Sequence, residues 1–403
     1  MSLESALAPD AVPALNVTDP SFSITSTEVH DARERSWYAT TPYGFAVLRY
    51  DEVGHLLKHR NLRQGSGAWP ALNGVTEGPF ARWWASWILH KEGADHNRLR
   101  RLMNPAFSSK VIAPLAPRFQ NLAAELVEGF QHGESCEFLS EFAEPYAARV
   151  LAIMLGLPED EYPVIVRESN TLALALGVSM RNDMPKIESA LSNLYAYADA
   201  VIADRRAQPR ADFVSALTNA TLPEDGRLSD IELRDAMVML ILGGYDTTHR
   251  QLGLAMQTFS RHLDQWDLLR ERPELGSRAV EEVMRVNPTV RWVTREVLED
   301  FTFQGLDLLA GTTIHLYTEA AGTDPRSFDN SFDITVERQP HFGFGGGAHH
   351  CLGHFVARSD MSEALTLLAR RLRGIRILPG QSWLPDSGNT GPVRLPIGFT
   401  LSD

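Results

Sequence analysis

The chain has 403 residues, 44% of them hydrophobic, and a formal net charge of −13. That length and apolar content can bury one large core or two smaller ones, and they exclude a disordered or fibrous chain. The acidic balance argues against a nucleic-acid partner, which needs a basic patch over phosphates, so any basic partner site must be local.

Residues 1–20, including "APDAVPALNVTDP", are rich in proline and alanine and are expected to run irregularly. Acidic residues stand there where an export signal needs basic ones. Tyr43 to Tyr50, "YGFAVLRY", alternates apolar and polar residues like a half-buried strand. From Asp95 to Arg206 apolar residues recur three and four apart, as in "PLAPRFQNLAAELVEGF", which predicts helices. Ser229 to His262 opens on a Ser-Asp cap signal and contains no proline, predicting one helix of about 50 Å at 1.5 Å per residue. Its run "AMVMLILGGY", Ala236 to Tyr245, is about half of what a bilayer crossing needs, so it reads as a buried helix in a cytoplasmic protein with no membrane partner. Beyond it, "FTFQGLDLLAGTTIHLYT" is strand-like and broken at Gly305 and Gly311, "SDMSEALTLLARRLRG" is helical, and "VRLPIGFTL" is strand-like. The pattern is mainly α with a small β-rich part, in a single domain over residues 1–403 without internal repeats.

Two cysteines are present. Cys136, in "HGESCEFLSEF", has no ligand types beside it and reads as a small buried apolar residue. Cys351 stands in "FGFGGGAHHCLGHFVAR". Gly345 to Gly347 allow backbone conformations that turn N–H groups inward, Gly353 removes a side chain where something flat could approach, and the next helix begins beside the sulfur. The residues thus describe an anionic sulfur on a loop before a helix. Zinc is one rival, because His349, His350 and His354 crowd the cysteine, yet no second pair completes four ligands. A cysteine nucleophile is another, but no base and orienting partner can be named. A thiolate on haem iron needs only one protein ligand.

These residues resemble the cytochrome P-450 family of haem-thiolate monooxygenases, in its soluble bacterial type. The signature F-x-x-G-x-[HR]-x-C-x-G is met by Phe344, Gly347, His349, Cys351 and Gly353, and Ala357-Arg358 continue its usual extension. The resemblance implies that Cys351 is the axial ligand, Phe344 packs beside the sulfur and His349 bonds a haem propionate, leaving His350 and His354 as surface or packing residues. It implies the family's fold, with haem between a long central helix and a proximal cysteine loop.

A second motif, "GGYDTT" from Gly243 to Thr248, falls inside the long helix, where two glycines cost roughly 2 kcal/mol relative to alanine. The resemblance implies that Gly243 and Gly244 make room for dioxygen, that Thr247 assists its activation and that Asp246 helps deliver protons. A third, "EEVMR", sets Glu282 and Arg285 one helical turn apart, a spacing at which they can pair. The family adds an arginine before "F-D", but here Ser331 precedes Phe332, so Arg326 or Arg338 substitutes or the pair stands alone. His96, Arg100 and Arg295 match positions that hold haem propionates, and buried anions need such partners.

The implied function is a monooxygenase that uses haem b, dioxygen, and electrons from NAD(P)H through ferredoxin reductase and ferredoxin. Its substrate would be a hydrophobic or amphipathic small molecule of secondary metabolism. The alternatives are peroxide-driven or non-hydroxylating chemistry on the same fold, or a haem sensor or carrier without turnover. Candidate substrate contacts are Trp69, Phe80, Trp83, Trp84, Leu172 to Met184, Met239 to Leu242, and Val290 to Val293. Arg291 is the sharpest of these, as a partner for an acidic substrate, with Trp292 and Val293 beside it.

Overall fold

Ser229 fixes where the organising helix begins. Its Oγ accepts the Glu232 N–H at 3.2 Å while the Glu232 carboxylate accepts the Ser229 N–H at 2.8 Å, so two donors otherwise left open at a helix start are satisfied. From this box a 31-residue helix, Asp230–Ser260, runs through the protein. It packs on Glu144–Leu155, Tyr162–Leu172 and Met180–Ala207, and Leu240, Ile241, Leu252, Met256 and Phe259 join the main core along it. A helix apolar on so many sides is a buried one. The expected span is borne out. No helix of the described residues is long and apolar enough to cross a membrane.

The computed structural model describes residues 12–402 except 20, 131–133, 178–179, 211, 330 and 385–386. A second helix, His354–Arg371, follows the Cys351 loop and packs on Ala116–Glu128, Leu263–Glu271 and Gly276–Val286. Gly276 permits one of these crossings, since an added Cβ would lie 2.5 Å from both Ser362 Oγ and Thr366 Oγ1.

The β part is small. Five strands form the main sheet in the order Tyr38–Thr41, Gly44–Val47, Thr313–Tyr317, Trp292–Val297 and Leu62–Gln64. The second and third pair in parallel, the others antiparallel. A three-stranded sheet joins Ser135–Glu137, Pro396–Leu401 and Leu372–Ile377, and two short hairpins complete the strands. The mainly α architecture with a minor sheet is as the sequence predicts.

Two expectations change. The strand expected over Tyr43 to Tyr50 is shorter, because Tyr50 already starts the helix Tyr50–Leu56. Of the segment expected to be irregular, residues 1–11 and 20 lie outside the described residues, whereas Leu15 N and Thr40 N bond Thr40 O and Pro13 O, each at 2.9 Å. Leu15 is buried there, so its apolar side chain docks this stretch on the sheet edge.

Ser229→Ala should lower the stability of the protein by about 1 kcal/mol, read as a lower urea midpoint. An unchanged midpoint would mean that the box does not fix the helix start.

Candidate active site

A cavity of about 280 Å³ lies between the central helix and the Cys351 loop. Gly243, Gly244, Thr247 and Thr248 line it from the helix, and Cys351, Leu352 and Gly353 from the loop. The helix Gly93–Met103 contributes His96 and Arg100, and the remaining wall is mostly apolar, with Trp87, Phe107, Met154, Met239 and Leu240. The two helix glycines serve different ends. At Gly243, as at Gly353, an added Cβ would meet no atom within 4 Å, whereas at Gly244 it would lie 3.2 Å from Leu151 Cδ1. One glycine therefore opens the cavity and its neighbour allows close helix packing.

The loop is held by its own backbone. Phe344 O accepts the Cys351 N–H at 2.9 Å, and Phe342 O accepts the Gly345 N–H at 2.8 Å. Gly345 and Gly347 have φ of +67° and +68°, a region that side chains disfavour, and at Gly347 a Cβ would lie 2.6 Å from Leu57 O. The glycine run thus lets the loop close over Leu57. The donor recorded on the sulfur is the Gly353 N–H instead of the expected Gly345 to Gly347 nest. Burial pushes the Cys351 thiol above its ordinary value, while that N–H, Arg100 and Arg358 pull the other way. Cys136 is buried in the strand Ser135–Glu137, and burial pushes its thiol up.

Three of the four expected propionate partners, His96, Arg100 and His349, line the cavity. His96 is 3% exposed and its ring centroid lies 4.4 Å from that of His349. His349 Nε2 is 3.0 Å from Glu92 Oε1, which also accepts the Gln64 N–H at 2.9 Å. Gln64 Oε1 in turn accepts from Arg295 at 2.6 Å. Burial lowers the Arg295 guanidinium to about 10, with Glu92 opposing the fall, and burial also lowers that of Arg100. Neither forms an ion pair among the described residues. Desolvated cations of this kind fit an anionic group at the cavity edge. Arg295 is not among the residues lining the 280 Å³ cavity and reaches His349 only through Gln64 and Glu92. His350 lines the cavity, and His354 Nδ1 bonds Arg358 at 2.8 Å.

Thr247 Oγ1 donates to Gly243 O at 2.7 Å, and the helix continues through the motif. Asp246 faces away from the cavity. It is 3% exposed, with Oδ1 on Arg250 Nε at 2.9 Å and Oδ2 on Asn389 Nδ2 at 2.7 Å. The i,i+4 spacing of Asp246 and Arg250 was legible in the sequence; Asn389, from a distant loop, was not.

Glu282 and Arg285 pair through two bonds of 2.7 and 2.8 Å, both side chains buried. The missing third member is Arg338, whose Nε lies 3.1 Å from Glu282. Arg326 instead pairs with Glu34 and Asp324. Arg338 NH2 also bonds Ser331 Oγ at 2.9 Å, so the serine at the expected arginine position accepts from the arginine that replaces it.

Only part of the expected substrate-contact set lines this cavity. Arg291, Trp292 and Val293 are not among the lining residues of this cavity. Arg291 is buried and donates to Asn287 Oδ1 at 2.7 Å, Trp292 stacks on Tyr317, and Val293 packs with the smaller core under the main sheet. Phe80, Trp83 and Trp84 are buried in the main core. Trp87, three residues on, is the tryptophan that reaches the cavity. Met239 and Leu240 line it as expected, but Ile241 and Leu242 do not.

Comparison with known proteins fits this site. The family model described as Cytochrome P450 matches residues 175–382. The chain is 37% identical to luteothin monooxygenase of Streptomyces thioluteus, over 96% of each chain. It is 31% identical to mycinamicin IV hydroxylase/epoxidase of Micromonospora griseorubida, over 88% of this chain and 90% of that one. The crystal structure of the LnmA cytochrome P450 hydroxylase from the leinamycin pathway of Streptomyces atroolivaceus superposes with a TM-score of 0.80 at 30% identity, covering 93% of this chain and 96% of that one. The chain belongs to the cytochrome P450 family, whose members bind haem iron, and it is a monooxygenase of that family.

Glu282→Ala should leave Arg285 and Arg338 without their shared carboxylate and cost about 3–5 kcal/mol. Arg326→Ala, at a more exposed pair, should cost less than about 1 kcal/mol. Urea unfolding of both variants checks the assignment, and equal losses would contradict it.

Proposed function

We propose that the chain, as one domain, binds haem b through Cys351. In this reading it inserts one oxygen atom from dioxygen into an apolar or amphipathic small molecule of secondary metabolism. Electrons come from NAD(P)H through a ferredoxin reductase and a ferredoxin in the cytoplasm. The observation that carries the reading is the facing pair of surfaces across one cavity, with Cys351 and Gly353 on one side and Gly243 and Thr247 on the other. The single-domain reading draws on one apolar cluster that takes side chains from Phe80 to Phe399.

Haem supplies the iron at which dioxygen is reduced, and a thiolate ligand favours cleavage of the O–O bond. The chain's residues do the rest. Cys351 provides the thiolate, made tolerable by the Gly353 N–H and by Arg100 and Arg358. His96, Arg100, Arg295 and His349 would hold the propionates, an arrangement supported by the burial of both guanidiniums without an ion pair among the described residues. Phe344 would sit beside the sulfur, and Glu282 and Arg285 would brace the proximal part of the core. Thr247 offers a hydroxyl at the cavity and would pass a proton into it by turning from Gly243 O. Asp246 would replenish that proton only after releasing Arg250 or Asn389 and first taking a proton from water on the freed oxygen. Trp87, Phe107, Met154, Met239 and Leu240 exclude water and suit an apolar substrate. The relatives named for luteothin and mycinamicin IV support a secondary metabolite.

Turnover with a ferredoxin system under isotopically labelled dioxygen tests this. The wild type should place one labelled atom in product, and product without label, or no turnover across an amphipathic library, would overturn the reading. Thr247→Ala should keep consuming NAD(P)H while product falls roughly a hundredfold, the low end of the range for proton-transfer groups. Unchanged coupling would remove Thr247 from proton transfer.

A further inference from the structure

Outside the cavity lining, against the Cys351 loop, lies a charged cluster built around Arg358. Arg358, in the first turns of His354–Arg371, binds Glu281 through two bonds, Nε to Oε1 at 2.5 Å and NH2 to Oε2 at 3.1 Å. Glu281 stands beside Glu282 on Gly276–Val286, and its Oε2 also lies 3.2 Å from His341 Nε2. The Arg358 guanidinium carbon sits 4.5 Å from the centroid of the Phe344 ring, and its NH1 bonds His354 Nδ1 at 2.8 Å. Phe344 is the residue whose carbonyl holds the Cys351 N–H. A planar guanidinium fixed bidentately on one side and laid over an aromatic face on the other is an orienting device, since lysine can do neither in the same geometry.

We propose that Glu281 and Arg358 form a charged clamp in which Arg358 is a positioning residue, holding Phe344 beneath Cys351 and setting the reduction potential of iron bound there. The proposal rests on the reading of Cys351 as the axial thiolate. Reduction adds one electron to the iron from the reductase chain, and no proton moves on the clamp. A fixed positive charge near the sulfur favours the electron-richer ferrous state, because charges in a desolvated site are poorly screened. Glu281 offsets part of that charge. The two partners therefore act on the potential with opposite signs, although both help hold the loop. Arg100 acts on the sulfur from the cavity side, so removing Arg358 leaves one of the two cations that favour the thiolate.

Potentiometric titration of the haem-loaded wild type and three variants tests the clamp, with the Soret band of each reduced carbon monoxide complex as a second readout. Arg358→Gln should shift the one-electron equilibrium about tenfold towards ferric iron, a midpoint more negative by about 59 mV. Glu281→Gln should move it the other way. Arg358→Lys keeps the charge and should keep the midpoint, but without the stacked fork it should raise the share of the short-wavelength carbonyl form. Shifts of the same sign in Arg358→Gln and Glu281→Gln, or equal shifts in Arg358→Gln and Arg358→Lys, would reduce the cluster to a structural brace and overturn the proposal. So would loss of haem from all three variants. A wild type lacking the long-wavelength band would instead overturn the reading of Cys351, and the clamp with it.

Discussion

Burying a cysteine sulfur beneath an apolar cavity disfavours its thiolate, and much of the structure around Cys351 works against that cost. Burial pushes the thiol up, and among the described residues the Gly353 N–H, Arg100 and Arg358 oppose it. Were Cys351 to ligate haem iron as a thiolate, these groups and the metal together would have to outweigh desolvation. Each helper is brought by a different element. Gly353 belongs to the loop itself, Arg100 comes from Gly93–Met103, and Arg358 comes from His354–Arg371 and is anchored to Gly276–Val286. The local electrostatics therefore depend on the packing of three helices.

The same constraint explains the division of labour on the central helix. A buried 31-residue helix gives the cavity a rigid wall, and Gly243 lowers that wall where an added Cβ would project into open space. Gly244 faces the opposite requirement, contact with Leu151. Asp246, two positions on and absent from the cavity lining, is tied by Arg250 and Asn389. Gly243 and Asp246 thus serve different surroundings from one helix, the first at the cavity and the second tied to Arg250 and Asn389. In the cluster of Glu282, Arg285 and Arg338 one buried carboxylate is shared by two arginines.

Features governed by local sequence were legible beforehand. The long helix followed from its Ser229 cap and unbroken run, and the Cys351 loop from a dense signature in which glycines, histidine and cysteine stand at fixed spacings. What stayed hidden depends on chain reversals. Nothing near Arg338 announces that its loop returns to Glu282, and Asn389 reaches Asp246 across 143 positions. Glu92 lies one helical turn before His96, a spacing that could have flagged it, yet its hydrogen bond goes to His349. Arg291 misled for a related reason. Its residue type suggested substrate recognition, while Asn287, four positions earlier, accepts its guanidinium. Among the clustered tryptophans, composition could not separate those buried in the core from Trp87, because Trp87 lies just past the helix Pro79–Ser86, where the backbone turns extended and carries its ring to the cavity.

The account stands on Cys351 binding iron as a thiolate. The most direct test is the absorption spectrum of the reduced, haem-loaded protein under carbon monoxide, compared with that of Cys351→His. The wild type should give the long-wavelength Soret band from which the family takes its name, and Cys351→His should hold haem yet give the short-wavelength band of a histidine-ligated carbonyl. A short-wavelength band in the wild type, or a long-wavelength band that survives Cys351→His, would contradict the assignment.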